Sequence, residues 1–133
     1  MKKYAQDQVA RLIAKFAAQA KEASSDANER AVHDLRVAIR RLSRGLRSFS
    51  QFFPGKSWKR IRRDLSQLMD AAANVRDRDI VAQLLEKAGV AKEAPIFGKL
   101  AQERDAAAQA LQQALAAWMK ADSARAWTGV LEL

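Results

Sequence analysis

The sequence predicts an all-α domain, and three observations carry that prediction: few helix breakers, abundant alanine, and apolar residues spaced three and four apart. Only two prolines and five glycines occur in 133 residues, so long stretches lack the residues that most disfavour helix. Val9, Leu12, Ile13 and Phe16 recur at the helical period rather than the two-residue period of a strand. No sheet is expected. A chain of this length fits one domain, residues 1–133, and its 49% hydrophobic content suffices for a core without disulfides or metals.

The first helix is expected from about Lys3 to Ala23, with Ser24, Ser25 and Asp26 supplying a break and a cap. A second begins near Ala27 and runs to about Phe53, where Pro54-Gly55 stops it. The third starts near Ser57, a candidate cap, and sets Trp58, Ile61, Leu65, Leu68 and Met69 at core spacing. A falter is expected near Asn74. The segment carrying Ile80, Val81, Leu84 and Leu85 then reads as an extension or kink of the third helix that closes at Gly89. Pro95 opens a fourth helix reaching about Lys120, with Leu100, Ala107, Leu111, Leu115 and Trp118 inward. Ser123 is a candidate cap for a last piece holding Trp127, Val130 and Leu131. Short connections favour antiparallel neighbours, so the simplest architecture is an antiparallel four-helix bundle with a kinked or extended third helix. The apolar end, Trp127 to Leu133, is expected to pack in the bundle or on a second copy.

The absence of cysteine excludes disulfide scaffolds, thiolate metal sites and cysteine nucleophiles. Met1-Lys2-Lys3-Tyr4 runs into Ala-Gln-Asp-Gln-Val rather than the apolar run of a secretory signal. No stretch approaches the roughly 18 apolar residues that cross a bilayer. A cytoplasmic protein is the expectation.

The net charge of +9 is concentrated. Residues 28–63 hold 11 of the 24 Lys and Arg but only Glu29 and Asp34 of the 15 acids, so this segment carries the whole excess. Such concentration builds a local potential that recruits anions. On a helical wheel Arg36, Arg40, Arg44 and Arg47 lie within about 60° of His33. Leu35, Ile39, Leu42, Leu46, Phe49 and Phe53 take the opposite, core-facing side. Lys59, Arg62 and Arg63 project from the apolar stripe of the third helix and border the same surface if the two helices are neighbours. Arginine forks donate paired hydrogen bonds to phosphate oxygens, which suits a repeating phosphate chain. A merely solvated face would interleave acids with its bases, and this strip does not.

Asp77 and Asp79 raise the question of paired-carboxylate catalysis or a magnesium site. The structural reading is preferred: Asp77 opens a helical segment and pairs with an arginine of the second helix, so Arg76 and Asp77 are read as salt-bridge residues. No nucleophile–base pairing, P-loop, GxGxxG or metal-spaced histidines appear, so no enzyme, cofactor or metal is expected.

The run His33-Asp34-Leu35-Arg36-Val37-Ala38-Ile39-Arg40-Arg41-Leu42 resembles the signature of the CHAD family, the conserved histidine α-helical domain. Downstream, Arg76-Asp77-Arg78-Asp79-Ile80 resembles that family's second element, Arg-Asp-Leu-Asp-Val. The resemblance implies a helical bundle that binds inorganic polyphosphate through basic residues, often beside triphosphate-processing domains or on storage granules, without catalysis of its own. His33, Arg36, Arg40 and Arg41 match the signature, and Arg76 and Asp77 the second element. The sequence departs at Ser43, where a further arginine is common, at Arg78 for an apolar residue, and at Ala73 for a usual glycine. CHAD domains are commonly built from two similar bundles, and this chain resembles the first. The resemblance therefore implies a homodimer that rebuilds the pair and buries the apolar C-terminal segment.

Three rivals compete with polyphosphate binding. A nucleic-acid binder would use the same cations, but no helix-turn-helix, base-reading side chain or stacking platform is present, so its binding would be non-specific. A coat on an anionic membrane or granule would use the basic helix electrostatically. A polyphosphate or triphosphate hydrolase would need an acidic cluster that the sequence lacks.

Overall fold

Five α-helices carry the chain in the computed structural model, which describes residues 1–133: α1 (Lys2–Ser25), α2 (Glu29–Ser48), α3 (Ser57–Lys87), α4 (Pro95–Lys120) and α5 (Ser123–Val130). There is no strand. α2 lies between α1 and α3, and α4 packs on both α3 and α1. Ser43 meets Arg62 and Glu29 meets Arg76, fourteen residues apart along both helices, so α2 and α3 run in opposite senses and in register. No helix is long and apolar enough to cross a membrane.

The core is a cluster of 23 buried residues drawn from all four long helices. Val9 and Phe16 of α1, Leu35, Leu42 and Leu46 of α2, Leu65 and Val75 of α3, and Leu111 and Leu115 of α4 are fully buried. No polar or charged residue is buried with them, so apolar burial dominates the stability of this centre. α1 and α2 approach closely because position 45 is glycine: a Cβ there would stand 2.6 Å from Leu12 Cδ1. Phe16 lies edge-on to Trp118 at 4.9 Å and stacks on Trp127 at 5.9 Å, closing the corner where α1, α4 and α5 meet.

Trp127 and Leu131 belong to this core, so the apolar C-terminal segment packs into its own bundle and leaves Val130 exposed. Of the two packings expected for that segment, Trp127 and Leu131 take the one within the bundle.

Several boundaries differ from expectation, each for a local reason. α2 ends at Ser48, not Phe53, and Ser50–Phe52 forms one 3-10 turn. The residue before a proline is pushed out of the helical region, and Phe53 is extended at φ −111° and ψ 145°. Asn28 rather than Asp26 caps α2, its Oδ1 accepting the Ala31 N–H at 2.8 Å. Ser57 and Ser123 are the first residues of their helices, not caps. α3 does not falter at Asn74: Ala72 and Val75 are buried on either side of it, and packing overrides the weak helix propensity of asparagine.

A polar clamp fixes the α1–α2 connection. Arg104 of α4 donates to Asp79 Oδ1 at 2.6 Å and to the Ala27 carbonyl at 2.9 Å, which ties α3 and α4 to the turn that launches α2.

Candidate polyanion-binding site

Leu35, Ile39, Leu42 and Leu46 bury one side of α2, which turns Arg40, Arg44 and Arg47 outward as exposed residues. Arg36 is half-buried on the flank nearer α3, and its Nε is closed off from solvent without a hydrogen-bond partner. Arg62 of α3 completes the surface. Its Nε donates to Ser43 Oγ at 3.0 Å, and its guanidinium carbon lies 6.0 Å from the Trp58 ring centroid. Lys59 Nζ stands 5.6 Å from the same ring, and Arg63 is exposed one residue beyond Arg62. The cationic surface is therefore two helices wide.

None of these cations is neutralised within the chain. The four ion pairs are Arg30–Asp34, Arg76–Glu29, Arg78–Glu103 and Arg104–Asp79, and none includes Arg36, Arg40, Arg41, Arg44, Arg47, Lys59, Arg62 or Arg63. Like charges one helical turn apart, as at Arg36, Arg40 and Arg44, repel by a few tenths of a kcal/mol, about 0.2–0.5 per pair, and an anion laid over them removes that cost.

The expected site residues do not form one cluster. Arg36, Arg40, Arg44 and Arg47 share a surface with Arg62, which reaches Ser43 of α2, while Lys59 and Arg63 follow it round α3 by about 60° and 100°. Arg41 sits about 100° around α2 from Arg40 and lines the α1–α2 groove with Leu12, Lys15, Gln19 and Val37. His33 is exposed beside Glu29, Arg30 and Asp34, a surrounding of mixed charge at the start of α2.

The second acidic element is also rearranged. Arg76 pairs with Glu29 at 3.1 Å, whereas Asp77 is exposed and has no ion pair. Its alternation places Asp77 on the outer side, and the structural carboxylate is Asp79, clamped by Arg104. No group of three or more His, Asp or Glu gathers as a cation site.

Sequence reasoning missed three contributors. Lys15 faces Arg41 only because α1 and α2 pack together; Ser43 stands out in the sequence only as a departure; and Trp58 has the spacing of a core residue. Only the helix pairing, which the sequence does not state, brings these groups to the cations.

The family model for the CHAD domain matches residues 7–130. No curated protein sequence and no solved structure matches the chain.

Proposed function

From the premise that the chain belongs to the CHAD family, a family associated with polyphosphate-related proteins, we propose that its α2–α3 face binds inorganic polyphosphate as a non-catalytic targeting or scaffold module. The observation that carries this reading is the array of Arg36, Arg40, Arg41, Arg44, Arg47, Arg62 and Arg63 with Lys59, none of which has a carboxylate partner. Arg36, Arg40 and Arg44 repeat about every 6 Å along α2, so successive turns grip successive stretches of one phosphate chain. Arg62 widens the grip from α3. With its Nε held by Ser43, the Nη donors of its fork stay free for phosphate oxygens. Arg41 and Lys15 offer a flank onto which a long chain can continue. Such a module acts in the cytoplasm by holding its protein on polyphosphate, including on storage granules.

Non-specific nucleic-acid or anionic-surface binding would draw on the same charges, and salt separates the readings. Titration calorimetry with long-chain polyphosphate, duplex DNA and heparin at matched charge and two salt concentrations is the test. The expected result is that polyphosphate binds most tightly and survives added salt best, because fixed forks add hydrogen bonds to counterion release. Arg40→Glu with Arg44→Glu is expected to abolish that binding with helicity unchanged. Equal affinities for all three polyanions, or retained affinity in the double variant, would overturn the reading.

A further inference from the structure

The groove between α1 and α2 lies on the flank of α2 opposite Ser43 and Arg62. Its volume is about 460 Å³, within the range of roughly 300–1,000 Å³ that takes a small organic ligand. Half of its lining is apolar. Leu12, whose Cδ1 lies against Gly45, forms the floor with Val37 and Ala38. Four polar side chains rim it, Lys15 and Gln19 from α1 and Asp34 and Arg41 from α2.

The rim is polarised along the helices. Asp34 and Arg41 are seven residues apart, two turns of α2, and so stand about 10 Å from one another along its axis. Lys15 faces Arg41 at one end, whereas Gln19 also lines the next stretch of the groove with Arg30 and Asp34 and belongs to the other. Neither Lys15 nor Arg41 has an ion pair. Asp34 has one, to the 90% exposed side chain of Arg30 at 3.7 Å, which is longer than a hydrogen bond. No side chain of the rim makes a hydrogen bond within the chain. The groove thus offers two free cations at one end, a free carboxylate and amide at the other, and an apolar floor between them.

We infer that this groove binds a guanine nucleotide. Each part of the rim selects one part of the ligand. Lys15 and the fork of Arg41 take the phosphates. The flat face of the base lies on Val37 and Ala38. Asp34 identifies the base, because an ionised carboxylate only accepts and its two oxygens match two adjacent donors. Guanine presents such a pair, its ring N–H and its exocyclic amino group. Adenine, cytosine and uracil each set an acceptor beside their single donor group and so bring a lone pair against the carboxylate. Gln19, which both donates and accepts, serves the guanine carbonyl. Base edge and phosphates stand at opposite ends of a nucleotide, as Asp34 and Arg41 do in the groove. A phosphate chain continued past Lys15 and Arg41 would instead meet a carboxylate of its own sign. The inference goes beyond the polyphosphate reading and shares with it only Lys15 and Arg41.

Fluorescence anisotropy of GDP labelled on its ribose measures binding to the full chain at about 0.15 M salt, where attraction by charge alone is screened beyond about 8 Å. Unlabelled GDP is expected to displace the label at least about 10-fold more effectively than ADP or inorganic pyrophosphate, within the worth of one bidentate base contact. Asp34→Asn loses the paired acceptor and is expected to weaken GDP by about 10-fold or more, to leave ADP unchanged, and to keep the circular dichroism spectrum of the parent. A groove that works by charge alone responds in the opposite sense, since this variant removes a negative charge and would hold every anion more tightly. Lys15→Gln is expected to weaken GDP and ADP alike. Long-chain polyphosphate titrated in parallel tests the other reading separately: GDP binding without polyphosphate binding upholds this inference, and the reverse overturns it. Equal displacement by GDP, ADP and pyrophosphate overturns it too, as does an Asp34→Asn or Lys15→Gln chain that holds GDP as tightly as the parent.

Discussion

Residues 57–76 of α3 hold all of its buried residues, whereas residues 77–87 hold none, although both stretches carry apolar residues. In the first stretch Ile61, Leu65 and Leu68 are buried and the cations stand outside; in the second, Ile80, Val81 and Leu84 stand outside themselves. The second stretch is held instead by polar links, Asp79 to Arg104 and Arg78 to Glu103. Five full turns separate Ile80, Val81 and Leu84 from Arg62, Arg63 and Ser66, so the apolar residues of the second stretch continue the outward side of α3 and not its buried stripe. The buried apolar residues of α3 all reside in the first half.

The sharpest test of that division is a matched pair of truncations. Leu65 is fully buried and Leu84 is 59% exposed. Leu65→Ala is expected to cost about 2–5 kcal/mol, the lost transfer energy plus the cavity left behind. Leu84→Ala is expected to stay within about 0.5 kcal/mol. Urea unfolding followed by circular dichroism measures both. Comparable losses at the two positions would mean that residues 77–87 are part of the cooperative core and that the division is wrong.

A smaller effect is expected at the junction of the two halves. The side chain of Asp79 is 12% exposed and that of Arg104 25%, and the pair also reaches the Ala27 carbonyl. Asp79→Asn leaves the Arg104 guanidinium half-buried without its carboxylate, which costs about 1–3 kcal/mol. Asp77→Asn, at the exposed and unpaired neighbour, is expected to be neutral within about 0.5 kcal/mol. The same unfolding measurement distinguishes them, and equal effects would deny Asp79 its role as the clamp.

Much of the first half was legible from sequence because its signals are local. The stripe of α2 from Leu35 to Leu46 marks both the buried side and, by subtraction, the azimuth of Arg40 and Arg44. The displacement of Arg41 towards α1 also follows from a step of about 100° per residue, but its neighbour Lys15 does not, since nothing local says which helix lies there. The second half was not legible. Ile80 and Leu84 look like core residues, but they stand exposed on the same side of α3 as Arg62 and Ser66, five turns earlier. The partner of Arg76 lies 47 residues away in sequence, so spacing around Asp77 pointed to the wrong carboxylate. Caps were ambiguous for a different reason: Ser24, Ser25, Asp26 and Asn28 all have capping chemistry, and only backbone geometry chooses among them.

The subtlest expected effect concerns how the first half presents its cations, a task that needs α2 alongside. Arg62 is oriented by the hydroxyl of Ser43 at 3.0 Å and by the ring of Trp58. Ser43→Ala removes one neutral-to-charged hydrogen bond and no charge. Polyphosphate affinity is expected to fall about 3-fold to 10-fold, the net worth of an ordinary hydrogen bond, because Arg62 is only partly buried and loses its orientation but not its charge, while the slope of affinity against salt stays that of the parent chain because the number of cations is unchanged. Ser43→Thr, which keeps the hydroxyl, is expected to bind as the parent does. Calorimetry at several salt concentrations reads both quantities. An unchanged affinity in Ser43→Ala would mean that Arg62 acts as a free point charge and that the face works by charge density alone; a changed salt slope would mean that the substitution alters how many cations reach the chain. A fall in affinity at constant slope, restored by threonine, identifies fork geometry as what distinguishes the covered half of α3 from a generic basic surface.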